Sequence, residues 1–151
     1  MPDTIRPVHR DDYPAWRLLW DGYNAFYERK GPTALEEAIT ERTWARFFDP
    51  AEPVHGLVAV RGDQLVGMAN YLFHRNTTRL QDVCYLQDLF TAAEARGRGT
   101  GRRLVEAVFE AARAAGSHRV YWQTHERNAP ARALYDTLAE HRGFIVYAKE
   151  L

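Results

Sequence analysis

The sequence predicts a single α/β (α+β) domain that spans residues 1–151. Segments with the apolar pattern of strands alternate with segments whose apolar residues recur at helical spacing, which is typical of this class. The chain has 151 residues, of which 46% are hydrophobic and 26% charged, as in a soluble domain with one core. No internal repeat, low-complexity tract or Ser/Gly linker divides it, so we expect one domain.

Composition and spacing exclude several functional classes. The 20 basic and 20 acidic side chains give zero formal net charge, which argues against a general nucleic-acid-binding protein. No apolar run approaches the roughly 20 residues of a membrane helix. Residues 1–12 lack the apolar region of a secretory signal, and Cys84 is the single cysteine, so we expect a cytoplasmic protein. His125-Glu126 begins an HExxH motif, but Ala129 replaces its second histidine, so we expect no metal.

The N-terminal segment is expected to form a strand and a helix. The strand is predicted at Thr4–Val8. Asp11 or Asp12 then caps a helix whose apolar stripe reaches Tyr27. Glycine is a poor helix former, so we expect Gly22 to bend or interrupt this helix.

A second helix and a hairpin follow. Thr33 and Glu36 have the spacing of a capping box, which predicts a helix that ends near Phe48. Two strand-like runs then flank Gly62-Asp63, a dipeptide that favours a tight turn; they are Val54–Val60 and Gln64–Phe73. The Arg61-Gly62-Asp63 triplet resembles an adhesion motif, although a plain turn accounts for it.

The C-terminal part alternates between strand and helix patterns. A glycine-rich turn separates the first strand from a long amphipathic helix, and Asn128 caps a later one. In chain order we expect a strand, a helix, a strand, a helix and a final strand, at about Val83–Thr91, Gly99–Ala115, Arg119–His125, 128–139 and Phe144–Lys149.

The glycine-rich turn is the segment that points to a ligand. Its glycines let the backbone approach a ligand, the following helix offers unpaired N–H groups, and four arginines add positive charge. These features predict a phosphate or pyrophosphate cradle, although a plain helix-entry turn with solvated arginines would have the same sequence. The residues of the predicted cradle are Arg96, Gly97, Arg98, Gly99, Thr100, Gly101 and Arg102.

The turn matches one of three known types of phosphate cradle. A P-loop would need lysine after Gly101, and a dinucleotide-binding fingerprint would need glycine at Arg102. The pattern [Gln/Arg]-x-x-Gly-x-[Gly/Ala] fits Arg96, Gly99 and Gly101. With the second motif Asn-x-x-Ala-x-x-Leu-Tyr at residues 128–135, the sequence resembles the GNAT superfamily of acetyl-CoA-dependent N-acetyltransferases.

Three further segments resemble one subgroup of that superfamily. This subgroup comprises the yeast-type histone, polyamine and D-amino-acid acetyltransferases and is related to the spermidine/spermine acetyltransferases. The segments are Tyr85-Leu-Gln-Asp-Leu-Phe90, Tyr121-Trp-Gln-Thr-His125 and Gly143-Phe-Ile-Val-Tyr147. One departure is the spacing after Tyr135, where Asp136–Arg142 makes the segment before Gly143 longer than the family's usual three residues.

The resemblance implies a fold and a cosubstrate site. The fold is a mixed, mostly antiparallel sheet flanked by about four helices, with a splay between strands 83–91 and 119–125. Acetyl-CoA would lie in the splay, its arm on the backbone of Leu89, Phe90 and Thr91 and its pyrophosphate on the glycine turn. Asn128 would bond the same arm, or act only as a helix cap.

The resemblance also implies a mechanism in which a neutral amine attacks the thioester directly. Tyr135 would donate a proton to the departing CoA thiolate; its alternative role is that of a core aromatic residue. Some relatives have a glutamate as base where this chain has Gln87, so water could instead lead to Asp88, Asp82, His74, His125 or Glu126. Alternation along a regular strand places Gln87 with Tyr85 and Leu89, and Asp88 with Leu86 and Phe90. Tyr27 would help to wall the amine pocket.

These inferences predict an enzyme that transfers an acetyl group from acetyl-CoA to a small-molecule amine such as a polyamine or an amino acid. The alternatives are a protein lysine or N-terminal acetyltransferase and a non-catalytic acyl-CoA-binding module, which the absence of a carboxylate at Gln87 would suit. The resemblance also implies a homodimer, in which Phe144–Lys149 pairs with the partner subunit.

Overall fold

The computed structural model describes residues 2–151 and consists of a five-stranded mixed sheet with helices on both faces. The strands follow one another across the sheet in chain order; β1 to β4 are antiparallel and β5 is parallel to β4. The strands are β1 Thr4–Pro7, β2 Val54–Arg61, β3 Gln64–His74, β4 Val83–Thr91 and β5 Val120–Tyr121. The helices are α1 Tyr13–Phe26, α2 Glu37–Arg46, α3 Thr100–Ala114 and α4 Ala129–Tyr135, and short 3-10 turns precede α1, α2 and α3.

Each face of the sheet carries its own core. The aromatic stripe of α1, including Trp16 and Trp20, covers one face together with α2 and contacts Val58 and Met68. On the opposite face α3 packs through an aliphatic stripe that includes the fully buried Leu104. Successive strand residues point to opposite faces, so the two helical layers pack against alternate residues of β2 and β3.

The helix α1 differs from the sequence expectation at its glycine. Gly22 neither bends nor interrupts α1, which is continuous from Tyr13 to Phe26. A Cβ at Gly22 would lie 3.0 Å from the ring of Phe90 on β4. The glycine therefore serves close packing of the helix on the sheet, which outweighs its weak helix propensity.

The predicted capping box of the second helix is wrong. The helix α2 begins at Glu37, after a 3-10 turn at Gly31–Thr33. The Thr33 hydroxyl donates to the carbonyl oxygens of Glu28 (2.6 Å) and Lys30 (2.9 Å) and so closes the preceding loop instead of capping a helix. Threonine competes for local backbone groups in this way, which limits the capping signal.

The predicted β2–β3 hairpin is confirmed, with Gly62 at its turn and a φ of 64°. Arg61 is not presented as part of an adhesion motif, because its guanidinium pairs with the carboxylate of Asp3 at 2.7 Å. The adhesion reading therefore has no structural support.

The strand predicted at Arg119–His125 is ordered in the sheet over Val120–Tyr121 alone. Its two residues pair with Cys84 and Tyr85, and within residues 2–151 β4 has no neighbour on that side beyond Tyr85. The two strands diverge from that point, which confirms the predicted splay. The hydrogen-bonded ladder between β4 and β5 ends where these strands separate, so the sequence pattern overestimates the length of β5.

The predicted final strand at Phe144–Lys149 is absent from the described chain. Residues 140–151 form neither helix nor strand, and Phe144 and Tyr147 are 85% and 88% exposed. The apolar pattern of this segment is real, but a strand is stable only beside another strand edge, and the segment meets none within its own chain.

Residues 2–151 contain neither a membrane-spanning helix nor a cluster of metal-ligating side chains. None of the helices in residues 2–151 is long and apolar enough to cross a bilayer. The same residues contain no group of three or more His, Cys, Asp or Glu side chains that could hold a metal ion.

Candidate active site

The glycine-rich turn has a backbone that requires glycine at two positions. Gly97 and Gly99 have φ values of 86° and 80°, in the left-handed region that other residues rarely adopt. A Cβ at either position would meet nothing within 4 Å, so backbone conformation rather than space selects glycine. Gly99 is also the N-cap of α3 and turns the chain into that helix.

This conformation leaves a row of amide groups free. The amides of residues 97–102 have no hydrogen-bond acceptor among residues 2–151, and the first bonded amide of α3 is that of Arg103, which donates to Gly99 O at 3.1 Å. Six N–H donors thus surround the positive end of a 15-residue helix. Such an arrangement binds phosphate oxygens, so it fits the pyrophosphate of CoA.

The arginines of the turn have different roles. Arg96 donates to the Thr91 carbonyl at 3.1 Å and lies over the Phe90 ring, and Arg102 donates to Thr137 at 2.7 Å. Arg98 is exposed and forms no ion pair or hydrogen bond within the described residues. Arg98 is therefore the arginine most available to a bound anion.

A buried network that the sequence did not reveal supports the turn from behind. The carboxylate of Asp3 accepts hydrogen bonds from Arg61, at 2.7 Å, and from the hydroxyl of Thr100, the first residue of α3. Arg61 also reaches the Ala95 carbonyl at 3.4 Å. Thr100 is 2% exposed and its hydroxyl is bonded to Asp3, so its amide is the donor left without an acceptor among residues 2–151. Asp3 and Thr100 are 97 residues apart, and no local pattern links them.

Leu89 and Phe90 take part in the two cores through their side chains. Leu89 packs against the α3 core, while Phe90 packs with the α1 cluster. Both side chains are half-buried in these cores, and their backbone lies on the side of β4 that has no strand neighbour beyond Tyr85 among residues 2–151. Thr91 lies opposite Gly67 at the end of the same ladder.

A β-bulge in β4 changes the predicted orientation of its polar side chains. Asn70 pairs with Asp88 but the next residue, Tyr71, pairs with Leu86, so Gln87 has no partner and is exposed. Leu86 and Leu89 both join the α3 core. Asp88 contacts Asn70 on the α1 face, where Phe90 also packs, so the predicted grouping of Asp88 with Phe90 is confirmed and that with Leu86 is wrong.

Asp88 is a buried carboxylate in a polar cluster under α1. It is 9% exposed and accepts a hydrogen bond from Asn70 Nδ2 at 3.0 Å. Burial raises the pKa of Asp88, and hydrogen bonds from Asn70 and Tyr23 and the charge of Arg29 offset part of the rise. The Tyr23 hydroxyl also donates to Gln87 O at 3.5 Å. Asn70 Oδ1 is buried and has no hydrogen-bond partner among the described residues.

Tyr135 lies on the opposite side of the splay, at the end of α4. Asn128 caps this helix, its Oδ1 accepting the Ala131 amide at 3.4 Å. The Tyr135 ring packs against Trp122 with 5.4 Å between centroids, and its hydroxyl has no hydrogen-bond partner within residues 2–151. Burial raises the pKa of Tyr135, and Tyr27 raises it further. The phenol therefore remains protonated at neutral pH and can donate a proton.

Tyr27 connects the two sides of this region. The ring centroid of Tyr27 lies 5.2 Å from that of Tyr23. Tyr27 also contributes to the raised pKa of Tyr85 and to that of Tyr135. Asp88 contributes to the raised pKa of the same Tyr85, after burial and Tyr121. Tyr27 therefore interacts electrostatically with tyrosines of both β4 and α4.

The two candidate histidines make other contacts. His74 bonds the Tyr121 hydroxyl and the Arg75 carbonyl, each at 2.7 Å. His125 Nδ1 accepts the Arg127 amide at 3.1 Å in the turn before α4. Cys84 is buried, and burial raises the pKa of its thiol to about 12, so it is a core residue rather than a nucleophile.

Comparison with known proteins identifies the family of the chain. Residues 13–139 match the family described as Acetyltransferase (GNAT) family. The chain is 32% identical over 149 residues to the D-amino-acid N-acetyltransferase HPA3 of Saccharomyces cerevisiae, covering 97% of this chain and 89% of that protein. It is 33% identical over 85 residues to the thialysine N-epsilon-acetyltransferase of Caenorhabditis elegans, covering 56% and 52% of the two chains.

A solved structure confirms the fold. The structure of AAC(6')-Iy in complex with the bisubstrate analogue CoA-S-monomethyl-acetylneamine superposes with a TM-score of 0.81 at 16% identity, covering 100% of this chain and 99% of that one. The mixed sheet, the four helices and the family match lead to one conclusion. The chain belongs to the GNAT acetyltransferase family and is an acetyl-CoA-dependent N-acetyltransferase.

Proposed function

We propose that this enzyme acetylates the primary amine of a small molecule, either a polyamine or an amino acid. The proposal rests on the presence, in one chain, of a cradle of free amides at residues 97–102 and of a protonated phenol at Tyr135 whose hydroxyl has no hydrogen-bond partner among residues 2–151. The yeast relative is named for D-amino acids and the nematode relative for thialysine, which are both small amines.

The cosubstrate site is proposed from the free donors of the turn. The amides of residues 97–102 bind the pyrophosphate together with Arg98, while Arg96 and Arg102 hold the turn in shape. The backbone of Leu89 to Thr91 pairs with the pantetheine arm along the open edge of β4. Asn128 caps α4 and is free to use its amide nitrogen on the same arm. Bound acetyl-CoA supplies the activated acyl group.

The reaction is proposed to proceed by direct attack of the amine on the acyl carbon. Alkylammonium ions have a pKa of about 10.4, so the substrate must lose a proton before it can attack. Tyr135 donates its proton to the sulfur as the bond between sulfur and the acyl carbon breaks. The amine pocket lies between Tyr27, Gln87 and Asp88, with His74 and His125 as candidates for its rim.

We also propose that the chain is a single cytoplasmic domain that forms a homodimer. A lone buried thiol is compatible with a reducing compartment. The exposed apolar residues at 144–147 would be covered by pairing with the free side of β5 in a second copy. Light scattering tests this: the intact chain should have the mass of a dimer, and a Phe144→Asp, Tyr147→Asp variant that of a monomer. A monomeric intact chain at high concentration would refute the dimer.

A thiol-release assay over an amine panel tests the proposed activity. The panel contains D- and L-amino acids, spermidine, lysine analogues and short lysine peptides, with acetyl-CoA in every reaction. Turnover on free amines supports the proposal. Turnover restricted to peptides would identify a protein acetyltransferase instead, and acetyl-CoA binding without turnover on any amine would identify a non-catalytic binding module.

A further inference from the structure

We propose that the guanidinium of Arg29 binds a carboxylate of the substrate, so that the amine acetylated by this enzyme belongs to an amino acid rather than to a polyamine. This inference rests on the proposed acetylation of small amines and names their class. Arg29 lies in the loop after α1 and is half-buried. Its Cζ is 5.3 Å from the ring centroid of Tyr27 and 5.7 Å from that of Tyr23, so it lies beside a wall of the proposed amine pocket.

The backbone at the end of α1 fixes the position of Arg29. The Glu28 amide donates to Ala25 O at 3.0 Å and the Arg29 amide donates to Asn24 O at 2.9 Å, which is the hydrogen-bond pattern of a Schellman motif. Glycine usually stands where this chain has Glu28, because the motif requires a positive φ, here 61°. Glu28 is the one non-glycine residue with a positive φ among residues 2–151, and such strain is often found at functional sites.

One side chain holds the guanidinium in a defined orientation. Arg29 Nε donates to Asn24 Oδ1 at 2.7 Å. Asn24 is 5% exposed and is fixed in turn, because its Nδ2 donates to the Trp20 carbonyl at 2.9 Å. The terminal nitrogens Nη1 and Nη2 of Arg29 have no hydrogen-bond or ion-pair partner among residues 2–151. These two nitrogens present parallel N–H groups, the arrangement that binds a carboxylate through both of its oxygens.

Other arginines of α1 and of the sheet do not offer the same group. Arg17 is paired with Glu37 at 2.5 Å. Arg119 also lies over a tyrosine, Tyr121, but in the part of the sheet where β4 and β5 are still paired. Arg29 is the guanidinium that combines free donors with a place beside the amine pocket.

Space and charge beside Arg29 suit an anionic group. A cavity of about 280 Å³ lies between α1 and the loop before α2, and Asn24, Arg29 and Lys30 are among its lining residues. The charge of Arg29 also reaches the amine pocket, because burial raises the pKa of Asp88 and Arg29 opposes that rise. A carboxylate neutralises the guanidinium, whereas a polyamine would bring further positive charge to it.

A carboxylate bound to Arg29 would also position the amine. In an α-amino acid the nitrogen and the carboxylate carbon are about 2.5 Å apart, so fixing one fixes the other closely. A polyamine has no such anchor. Arg29 would therefore select the substrate class and orient the nucleophile by one contact.

The first experiment compares wild type and Arg29→Gln on substrates that differ only in the carboxylate. The probes are alanine, leucine and methionine as both enantiomers, the amide of each, and spermidine. Arg29→Gln should lower kcat/KM for the amino acids about 30-fold, because it removes hydrogen bonds between two charged groups. The values for the amides and KM for acetyl-CoA should stay within about twofold, and kcat/KM for spermidine should not fall.

Lys30→Gln is the matched control, since it removes the neighbouring exposed charge of the same loop. Its values should stay within about twofold on every substrate. An equal loss on amino acids and amides in Arg29→Gln, or the same selective loss in Lys30→Gln, overturns the role of Arg29. Wild-type turnover of spermidine but of no amino acid overturns it too and leaves the proposed function intact, whereas no wild-type turnover on any free amine overturns the proposed function.

A second variant keeps the test decisive where Arg29→Gln disturbs the loop through the lost bond to Asn24. Arg29→Lys keeps the charge but not the planar pair of donors. It should lower kcat/KM for the amino acids about tenfold and leave that for the amides unchanged. Equal loss on both substrates with a lower melting temperature indicates a purely structural role, and unchanged values on both show that the paired donors are not used; either result overturns the proposal.

Discussion

Replacing Gly99 with alanine tests whether the backbone of the turn is what binds acetyl-CoA. Gly99 has a φ of 80°, and an L-residue in this region costs about 1–2 kcal/mol. Alanine also restricts the unfolded chain, which offsets part of that cost and leaves a net loss of about 1 kcal/mol. A Cβ at Gly99 would meet nothing within 4 Å, so the turn is free to relieve the strain by leaving its binding conformation.

The strain at Gly99→Ala is expected to weaken the binding of acetyl-CoA and to lower the melting temperature. A penalty of about 1 kcal/mol shifts the equilibrium away from the binding conformation about fivefold, so KM for acetyl-CoA rises by up to about that factor. The melting temperature falls by about 3 °C, while KM for the amine is unchanged. Steady-state kinetics with each substrate varied in turn and a thermal melt measure all three quantities.

Gly116 provides a matched control on the same helix. Gly116 has a φ of 84°, close to the 80° of Gly99, and a Cβ at either position would meet nothing within 4 Å. Gly116, however, lies beyond the C-terminal end of α3. Gly116→Ala should therefore lower the melting temperature as much as Gly99→Ala and leave both KM values unchanged. If Gly99→Ala also has a wild-type KM for acetyl-CoA, the conformation of the turn does not limit binding and the reasoning is wrong.

Three further predictions concern chemistry, the supporting network and the core. Tyr135→Phe should lower kcat about 100-fold with KM for acetyl-CoA unchanged; unchanged kcat would exclude it as the acid. The pKa of Asp3 is lowered, first by its bond from Arg61, so its contribution to stability is present above about pH 4 and is lost as pH falls through the lowered value. Melts of Asp3→Asn should therefore show a deficit at pH 7 that shrinks below pH about 4; a constant deficit would contradict this. Leu104→Ala should cost about 2–5 kcal/mol in urea unfolding, because Leu104 is fully buried; a loss under about 1 kcal/mol would show a loose core.

The sequence predicts the parts of this molecule that depend on neighbouring residues. The glycine turn and α3 are local: glycines at positive φ, an amphipathic stripe and a terminating Gly116 lie within 20 residues or so. The cap at Asn128 is equally local, since its acceptor and the Ala131 donor are three residues apart. Such features follow from spacing alone, and the structure has them where the pattern places them.

Features that depend on distant partners were not predictable. The support of Thr100 by Asp3 joins residues 97 positions apart, and neither residue carries a signal of its own. The segment Phe144–Lys149 has a strand pattern, but pairing depends on a free edge that a pattern cannot report. Gly22 shows the same limit, because its role depends on the Phe90 ring across the sheet.

The bulge at Gln87 explains why the faces of the polar residues of β4 are the hardest part of the site to derive from sequence. Strand alternation groups Asp88 with both Leu86 and Phe90, but Leu86 packs in the α3 core and Phe90 with the α1 cluster, so the rule alone does not fix the face of Asp88. The extra residue at Gln87 removes this conflict, since Leu86 and Leu89 share the α3 core while Asp88 contacts Asn70 on the α1 face. The side chain of Gln87 is therefore exposed at the bulge, while the neighbouring carboxylate of Asp88 is buried on the α1 face, and no alternation rule that ignores the bulge gives both positions.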